Sequence, residues 1–193
     1  MTSATLFNLF EVPAGGEPGF LAGWQRARAF IDERGGLAET TLHRSITPHA
    51  EFRYVNVAEI ESVETWRGTV ASADFPHVPA VPHPALYEVV REDPDPGGVA
   101  QSVVLINAFE VPAGRDEEFL VTWEHARDWL RAQPGYLGTR LHRSLDPGAE
   151  FRYVNRGTFR TSAEFTAAIS SPAFPGGAMR FRSHPMLYEV VAH

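Results

Sequence analysis

The hexapeptide EFRYVN occupies residues 51–56 and returns, letter for letter, at residues 150–155. That offset of 99 residues registers much of the remaining sequence. Asn8 falls on Asn107, Phe10-Glu11-Val12-Pro13-Ala14-Gly15 on Phe109-Glu110-Val111-Pro112-Ala113-Gly114, and Trp24 on Trp123. Leu42-His43-Arg44-Ser45 falls on Leu141-His142-Arg143-Ser144. Towards the end of each copy the offset becomes 101, so that His83-Pro84 meets His184-Pro185 and Leu86-Tyr87-Glu88-Val89-Val90 meets Leu187-Tyr188-Glu189-Val190-Val191. A repeat of this period is one structural unit used twice. The sequence divides into copy one at residues 1–91, a linker rich in proline, glycine and acid at 92–101, and copy two at 102–193.

Each copy carries the same succession of patterns. Residues 5–12 are apolar and β-prone, and Pro13-Ala14-Gly15-Gly16 turns the chain. Phe20, Leu21, Trp24, Ala27 and Ile31 recur at helical spacing, as do Phe119, Leu120, Trp123, Ala126 and Leu130. Two strands are predicted near 39–46 and 50–59, joined by Thr47-Pro48-His49-Ala50, with Asp146-Pro147-Gly148-Ala149 in copy two. A second helix follows, opened in copy two by Thr161 and Glu164 at capping-box spacing. A last strand is predicted over 85–90. The order β-α-β-β-α-β is that of the ferredoxin-like split βαβ fold, an α+β class. Helices cover only one face of such a sheet. We therefore expect the two tandem domains to pack sheet to sheet as an intramolecular dimeric α+β barrel, an internal pseudo-dimer about a pseudo-twofold axis.

Composition narrows the chemistry. The hydrophobic share of 44% suits a packed core, and the net charge of −7 disfavours nucleic acid, whose binders present a basic face. No apolar run approaches the length of a membrane span, and Met1-Thr2-Ser3-Ala4-Thr5 lacks the start of a signal peptide, so the expectation is a cytoplasmic protein. Cysteine is absent, which removes disulfides, thiolate nucleophiles and cysteine-ligated metals. All 17 basic residues are arginine, which removes a lysine Schiff base. No helical His pair with ligand spacing appears, so a protein metal site is not expected, and no Walker loop, dinucleotide fingerprint or nucleophile elbow is present.

Strand alternation places Phe52, Tyr54 and Asn56 on one face and Glu51, Arg53 and Val55 on the other. An asparagine beside two aromatic rings suits a small-molecule pocket, its amide donating to a developing oxyanion. The alternative is an amide bonded to nearby loop backbone. Phe151, Tyr153 and Asn155 repeat the set in copy two. Asn8 and Asn107 sit mid-strand beside Leu6 and Phe10 or their copies, as pocket residues or as satisfied buried amides. Trp24 and Trp123 read as core. Trp66 and Phe165, at the start of the second helix, read equally as pocket wall or core. His43 and His142 are candidate bases, or cross-strand surface contacts. His83 and His184 precede proline and read as turn residues. Arg53 and Glu88, with their copies, are expected to form cross-strand ion pairs.

In this order the motifs resemble the antibiotic biosynthesis monooxygenase family. They are Phe-Glu-Val-Pro-Ala-Gly, Trp-x-x-Ala-Arg, Leu-His-Arg-Ser, Phe-Arg-Tyr-Val-Asn and His-Pro-x-Leu-Tyr-Glu-Val-Val, and the resemblance covers both copies nearly end to end. It implies an enzyme that oxidises a polycyclic aromatic phenol or anthrone of polyketide type with O2, without cofactor, in antibiotic biosynthesis. It also implies catalytic roles for Asn56 and Asn155, with Trp66, Phe159 and Phe165 binding substrate; strand alternation adds Phe52, Tyr54, Asn8, Phe151, Tyr153 and Asn107 to the candidate substrate-binding set. Ile60 stands where the family has a tryptophan, whereas Phe159 keeps an aromatic ring there. The family's haem-degrading members pair a first-strand Asn with a Trp and a His on the second helix, and no such pair occurs here. Alternatives from other classes are a polyketide cyclase or isomerase of similar fold and a non-catalytic small-molecule binding protein. Assembly of the chain into a homo-oligomer is left open.

Overall fold

The computed structural model describes residues 4–97 and 102–193, and the chain separates into two compact units. One consists of Met1–Glu88 with Val190–His193, the other of Val89–Glu189. The opening three residues, on which the absence of a leader was read in part, and linker residues 98–101 lie outside the described residues.

The first unit runs β1 (Ala4–Glu11), α1 (Glu17–Asp32), β2 (Leu37–Ser45), β3 (Tyr54–Ile60), α2 (Val63–Val70) and the part of β4 (Val81–Asp93) up to Glu88. Its strands are antiparallel in the order β2-β3-β1-β4, the split βαβ arrangement. The second unit repeats it with β5 (Val103–Glu110), α3 (Asp116–Arg131), β6 (Tyr136–Ser144), β7 (Tyr153–Phe159), α4 (Ser162–Ile169) and β8 (Arg182–Ala192), in the order β6-β7-β5-β8. A short 3-10 turn at Pro175–Ala178 precedes β8. Among the described residues no helix is long and apolar enough to cross a membrane.

The register explains how each sheet acquires a polar centre. Across β1 and β3, Phe10 faces Tyr54, Asn8 faces Asn56 and Leu6 faces Ala58. These residues share the helix-facing side. Phe10 and Tyr54 join Phe20, Trp24 and Leu42 in one apolar cluster, and Leu6 and Ala58 join Ala4, Ile60 and Leu86 in another. The asparagine pair lies between the two. Copy two repeats the ladder as Phe109–Tyr153, Asn107–Asn155 and Leu105–Gly157. Alternation sends Phe7, Leu9 and Val55 to the other face, where they are buried as well.

Three local outcomes differ from the sequence expectation. β4 begins at Val81, four residues early, because Pro82 and Pro84 continue the ladder opposite Phe10 and Asn8. Both prolines stand among the first residues of the strand, where proline is tolerated. The same strand continues to Asp93, so residues 92 and 93 finish β4. Finally, Arg53 pairs with Glu17 of α1 at 3.0 Å, and Arg152 with Asp116 of α3 at 3.2 Å. The long guanidinium side chains reach back to the first turn of the helix, where a carboxylate also suits the helix dipole.

The helix starts are set by side chains as well. Ser62 caps α2, its hydroxyl accepting from the Thr65 N–H at 3.2 Å. Thr161 caps α4 in the same way, accepting from the Glu164 N–H at 3.1 Å. The Glu164 carboxylate turns to the Thr161 hydroxyl at 2.9 Å, a variation on the capping box.

Candidate active site

In each unit a cavity opens between the sheet and its helices, over the asparagine pair. The first is about 560 Å³ and the second about 300 Å³, within the range of small-molecule pockets. Their walls are largely apolar side chains from both helices and from the segment that leads into the last strand.

The first cavity brings together Asn8, Asn56 and Trp66. Trp24 fixes the amide of Asn56, its indole N–H donating to Asn56 Oδ1 at 3.1 Å. An indole nitrogen donates only, so the amide must present oxygen to it, and the NH2 group remains as a donor. Among the described residues that NH2 has no protein partner. Asn8 Oδ1 and Trp66 Nε1 are fully buried and likewise lack a partner. Orphan polar atoms in an apolar enclosure are costly unless a bound molecule satisfies them. One acceptor and two donors therefore stand ready in this cavity.

The second cavity contains Asn107, Asn155, Phe159 and Phe165. Asn155 is held by a different residue: Thr139 donates through its hydroxyl to Asn155 Oδ1 at 2.8 Å. Asn107 Oδ1 is buried without a partner, as in copy one. Phe159 and Phe165 meet edge to face at 4.8 Å.

Several residues read as pocket or base stand elsewhere. Tyr54 is buried against Phe20, ring centroids 4.6 Å apart, and donates to Glu17 at 2.8 Å. Tyr153 stacks on Phe119 at 4.4 Å and donates to Asp116 at 2.6 Å. Both lie on the helix-facing side, but the first helix closes over that end of the sheet and keeps them off the cavity wall. Phe52 and Phe151 precede β3 and β7 and pack against His83 and His184, each pair at 5.3 Å. These two histidines stand inside β4 and β8, and each bonds a glutamate, Glu11 at 2.9 Å and Glu110 at 3.0 Å.

His43 and His142 are not placed to serve as bases in either cavity. Leu42 faces Asn56 across the ladder and His43 faces Val55, so His43 projects from the opposite side of the sheet. His142 likewise faces Val154. Both rings are buried, with Nδ1 3.3 Å and 3.2 Å from the carbonyls of Val55 and Val154. Burial drives the His142 pKa down to about 4, keeping the ring neutral at pH 7.

Other wall residues carried little signal in the sequence. Arg28 and Arg127, from the Trp-x-x-Ala-Arg motifs, place a cation on each wall, and among the described residues no carboxylate lines either cavity. Arg28 sits 5.7 Å from the Trp24 ring centre, lies 3.5 Å from Asp32 and donates to the main-chain carbonyl of His193. Arg127 is bound more tightly, to Asp128 at 2.9 Å and Asp93 at 3.3 Å. Thr40 and Thr139 also reach their cavities, and His77 lines the first. Among the described residues no three His, Asp or Glu side chains gather as a metal-binding set.

Comparison with known proteins identifies the architecture. Residues 102–176 match the family model described as antibiotic biosynthesis monooxygenase. No curated protein matches the chain. A solved structure described as an anthrone oxidase-like protein superposes with a TM-score of 0.79 at 15% identity, over 99% of this chain and 92% of that one. A provisionally named monooxygenase from Lactobacillus acidophilus NCFM superposes at 0.59 with 8% identity, over 100% and 97% of the respective chains. A provisionally named monooxygenase from Shewanella loihica PV-4 is 35% identical over 50% of this chain and 100% of its own, with a TM-score of 0.45.

Proposed function

We propose that the chain is a member of the antibiotic biosynthesis monooxygenase family, whose model matches residues 102–176, and that it is a cofactor-independent oxygenase acting on a flat polycyclic phenol or anthrone. The observation that carries the reading is the Trp24–Asn56 bond, which fixes the amide so that its NH2 group is a preorganised donor in an apolar cavity. A solved structure of related fold is described as anthrone oxidase-like, in agreement with this substrate class.

Each part of the first cavity has a role in that reaction. The apolar walls hold the ring system and exclude water, which strengthens every polar contact inside. Ionisation of the phenol or enol gives an oxyanion that the Asn56 NH2 and the Trp66 N–H stabilise. Arg28 adds positive potential at the wall, and Asn8 Oδ1 accepts a ring hydroxyl. The electron-rich anion passes electrons to O2, and a ring methylene becomes a carbonyl. The carbon gives up four electrons and two hydrogens, one oxygen atom enters the product and the other leaves as water. A type II polyketide pathway leading to an antibiotic would supply such a substrate.

The test is oxygen uptake by the purified protein with an anthrone such as dithranol, with the quinone followed by absorbance. Asn56→Ala should keep the fold, with a melting temperature lowered modestly because the buried Trp24 N–H loses its acceptor, while lowering kcat by about 10²–10³, the usual effect of removing one oxyanion donor. Turnover that persists undiminished without O2 would assign the cavity to a cyclase or isomerase. Tight binding with no product would leave a binding protein.

A further inference from the structure

We infer that the two cavities are non-equivalent binding sites, the second admitting only the smaller of the ligands that the first takes, with Tyr136 as the residue that sets the limit. The inference rests on the reading of both cavities as sites for flat hydroxyarenes. It adds a second site of stated selectivity in the same chain.

The polar recognition is the same in the two cavities. Each has an asparagine pair opposed across the first and third strands of its unit, one amide held through its oxygen with NH2 left to donate, the other with a buried oxygen lacking a partner. A donor beside an acceptor suits a ring system carrying a hydroxyl near a carbonyl or oxyanion. What differs is room, about 560 Å³ against about 300 Å³.

The corresponding side chains account for the lost space. Leu37 at the wall of the first cavity becomes Tyr136 in the second, and Val70 becomes Ile169. Ile60 is buried in the core behind the first cavity, whereas its counterpart Phe159 reaches the second. Tyr136 meets Phe159 edge to face at 5.7 Å, and Phe159 meets Phe165 at 4.8 Å, so three rings close this end.

Tyr136 is also anchored at its far end. Its hydroxyl donates to Asp93 Oδ2 at 2.8 Å, and the other oxygen of Asp93 lies 3.3 Å from Arg127. A hydrogen bond to a carboxylate is among the stronger kinds, so the ring does not swing aside to admit a longer ligand. Leu37 has no polar atom to anchor in this way.

Binding stoichiometry tests the inference without reference to oxygen. The probes are 1-naphthol, with two fused rings, and 6-hydroxytetracene-5,12-dione, with four. Titration calorimetry and native mass spectrometry should give two naphthols per chain and one tetracyclic ligand. Tyr136→Leu, which installs the copy-one residue, should raise the tetracyclic stoichiometry from one to two. Leu37→Tyr should lower it from one to zero while naphthol stays at two, and this second variant serves if the first does not fold. Two tetracyclic ligands on the parent protein, a single naphthol, or an unchanged stoichiometry in whichever variant folds would overturn the inference. If neither probe binds, the reading of the cavities as aromatic sites falls with it. If both bind twice and oxygen uptake is seen, only the size limit falls.

Discussion

At the scale of single residues, β2 and β6 turn His43 and His142 away from the cavities. His142 also yields a prediction about pH. Its pKa falls from the ordinary 6.5 to about 4 because burial disfavours the charged ring. Between those values the unfolded chain binds a proton that the folded chain refuses. Stability is therefore fully present above pH 6.5 and is lost as the pH falls towards 4, by about 3 kcal/mol if the whole shift is realised. His142→Phe should flatten the melting temperature between pH 6.5 and 4 relative to the parent. An unchanged slope would assign the acid sensitivity to other groups. Lower still, Glu17 and Asp116 take over. The Tyr54 hydroxyl and Arg53 hold Glu17 below its ordinary range, and the Tyr153 hydroxyl and Arg152 outweigh burial to do the same for Asp116. Their contribution is present above the ordinary carboxylate range and is lost as the pH falls through their depressed values.

The same scale shows how much of the site could be read from the letters. Alternation alone put Asn8 and Asn56 on the helix-facing side, and the structure makes them neighbours across β1 and β3. Alternation could not show where along the sheet the cavity lies. Phe20 and Phe119 cover the Tyr54 and Tyr153 end, so two rings assigned to substrate became core. Of the two readings open for His43, candidate base or cross-strand contact, the register favours the second, since its neighbour Leu42 is the residue that faces Asn56. Arg28 and Arg127 were passed over because a helix arginine reads as solvated, although the stem of such a side chain often covers apolar surface.

At the scale of elements, α1 and the segment from Phe75 to Ala80 together wall the first cavity, and one contact sets their spacing. A Cβ added at Gly23 of α1 would lie 2.9 Å from the Pro79 ring, 3.0 Å from the His77 carbonyl oxygen and 3.1 Å from the Val78 Cα. The corresponding residue in α3 is Thr122, so the close approach belongs to copy one. Alanine favours helix over glycine by about 1 kcal/mol. Overpacking against ring and backbone atoms costs about 1–3 kcal/mol, so the steric term should win. Gly23→Ala is expected to lower the melting temperature and to raise hydrogen exchange at His77 and Val78. A stabilised variant would show that the segment yields at little cost. Segments of this kind have no periodicity, and their share of the cavity was invisible until the chain was folded.

At the scale of the whole molecule, the sequence repeat and the compact units do not share boundaries. The repeat assigns residues 190–193 to copy two, yet they belong to the unit built from copy one. Ala192 packs against the cluster of Phe10, Phe20 and Trp24, and the His193 carbonyl accepts from Arg28. Residues from Val89 onward belong to the other unit, where Val90 packs on its core and Asp93 anchors Tyr136. Deleting Val190–His193 should therefore weaken the unit at the far end of the sequence. Hydrogen exchange would detect this as faster exchange in α1 with little change in α3. The reverse pattern would mean that the last residues serve the copy in which they are encoded.

The mismatch between Leu37 and Tyr136 has an evolutionary side. When one gene segment is translated once and used twice by self-association, every substitution arrives in both sites together, and a change that helps one reaction can harm the other. A duplicated segment read as one chain removes that constraint. Each copy of the cavity has its own codons and its own mutational history, so one can be held by selection while the other drifts or is recruited. The three-ring wall on one side and the leucine on the other are what such separate inheritance leaves behind.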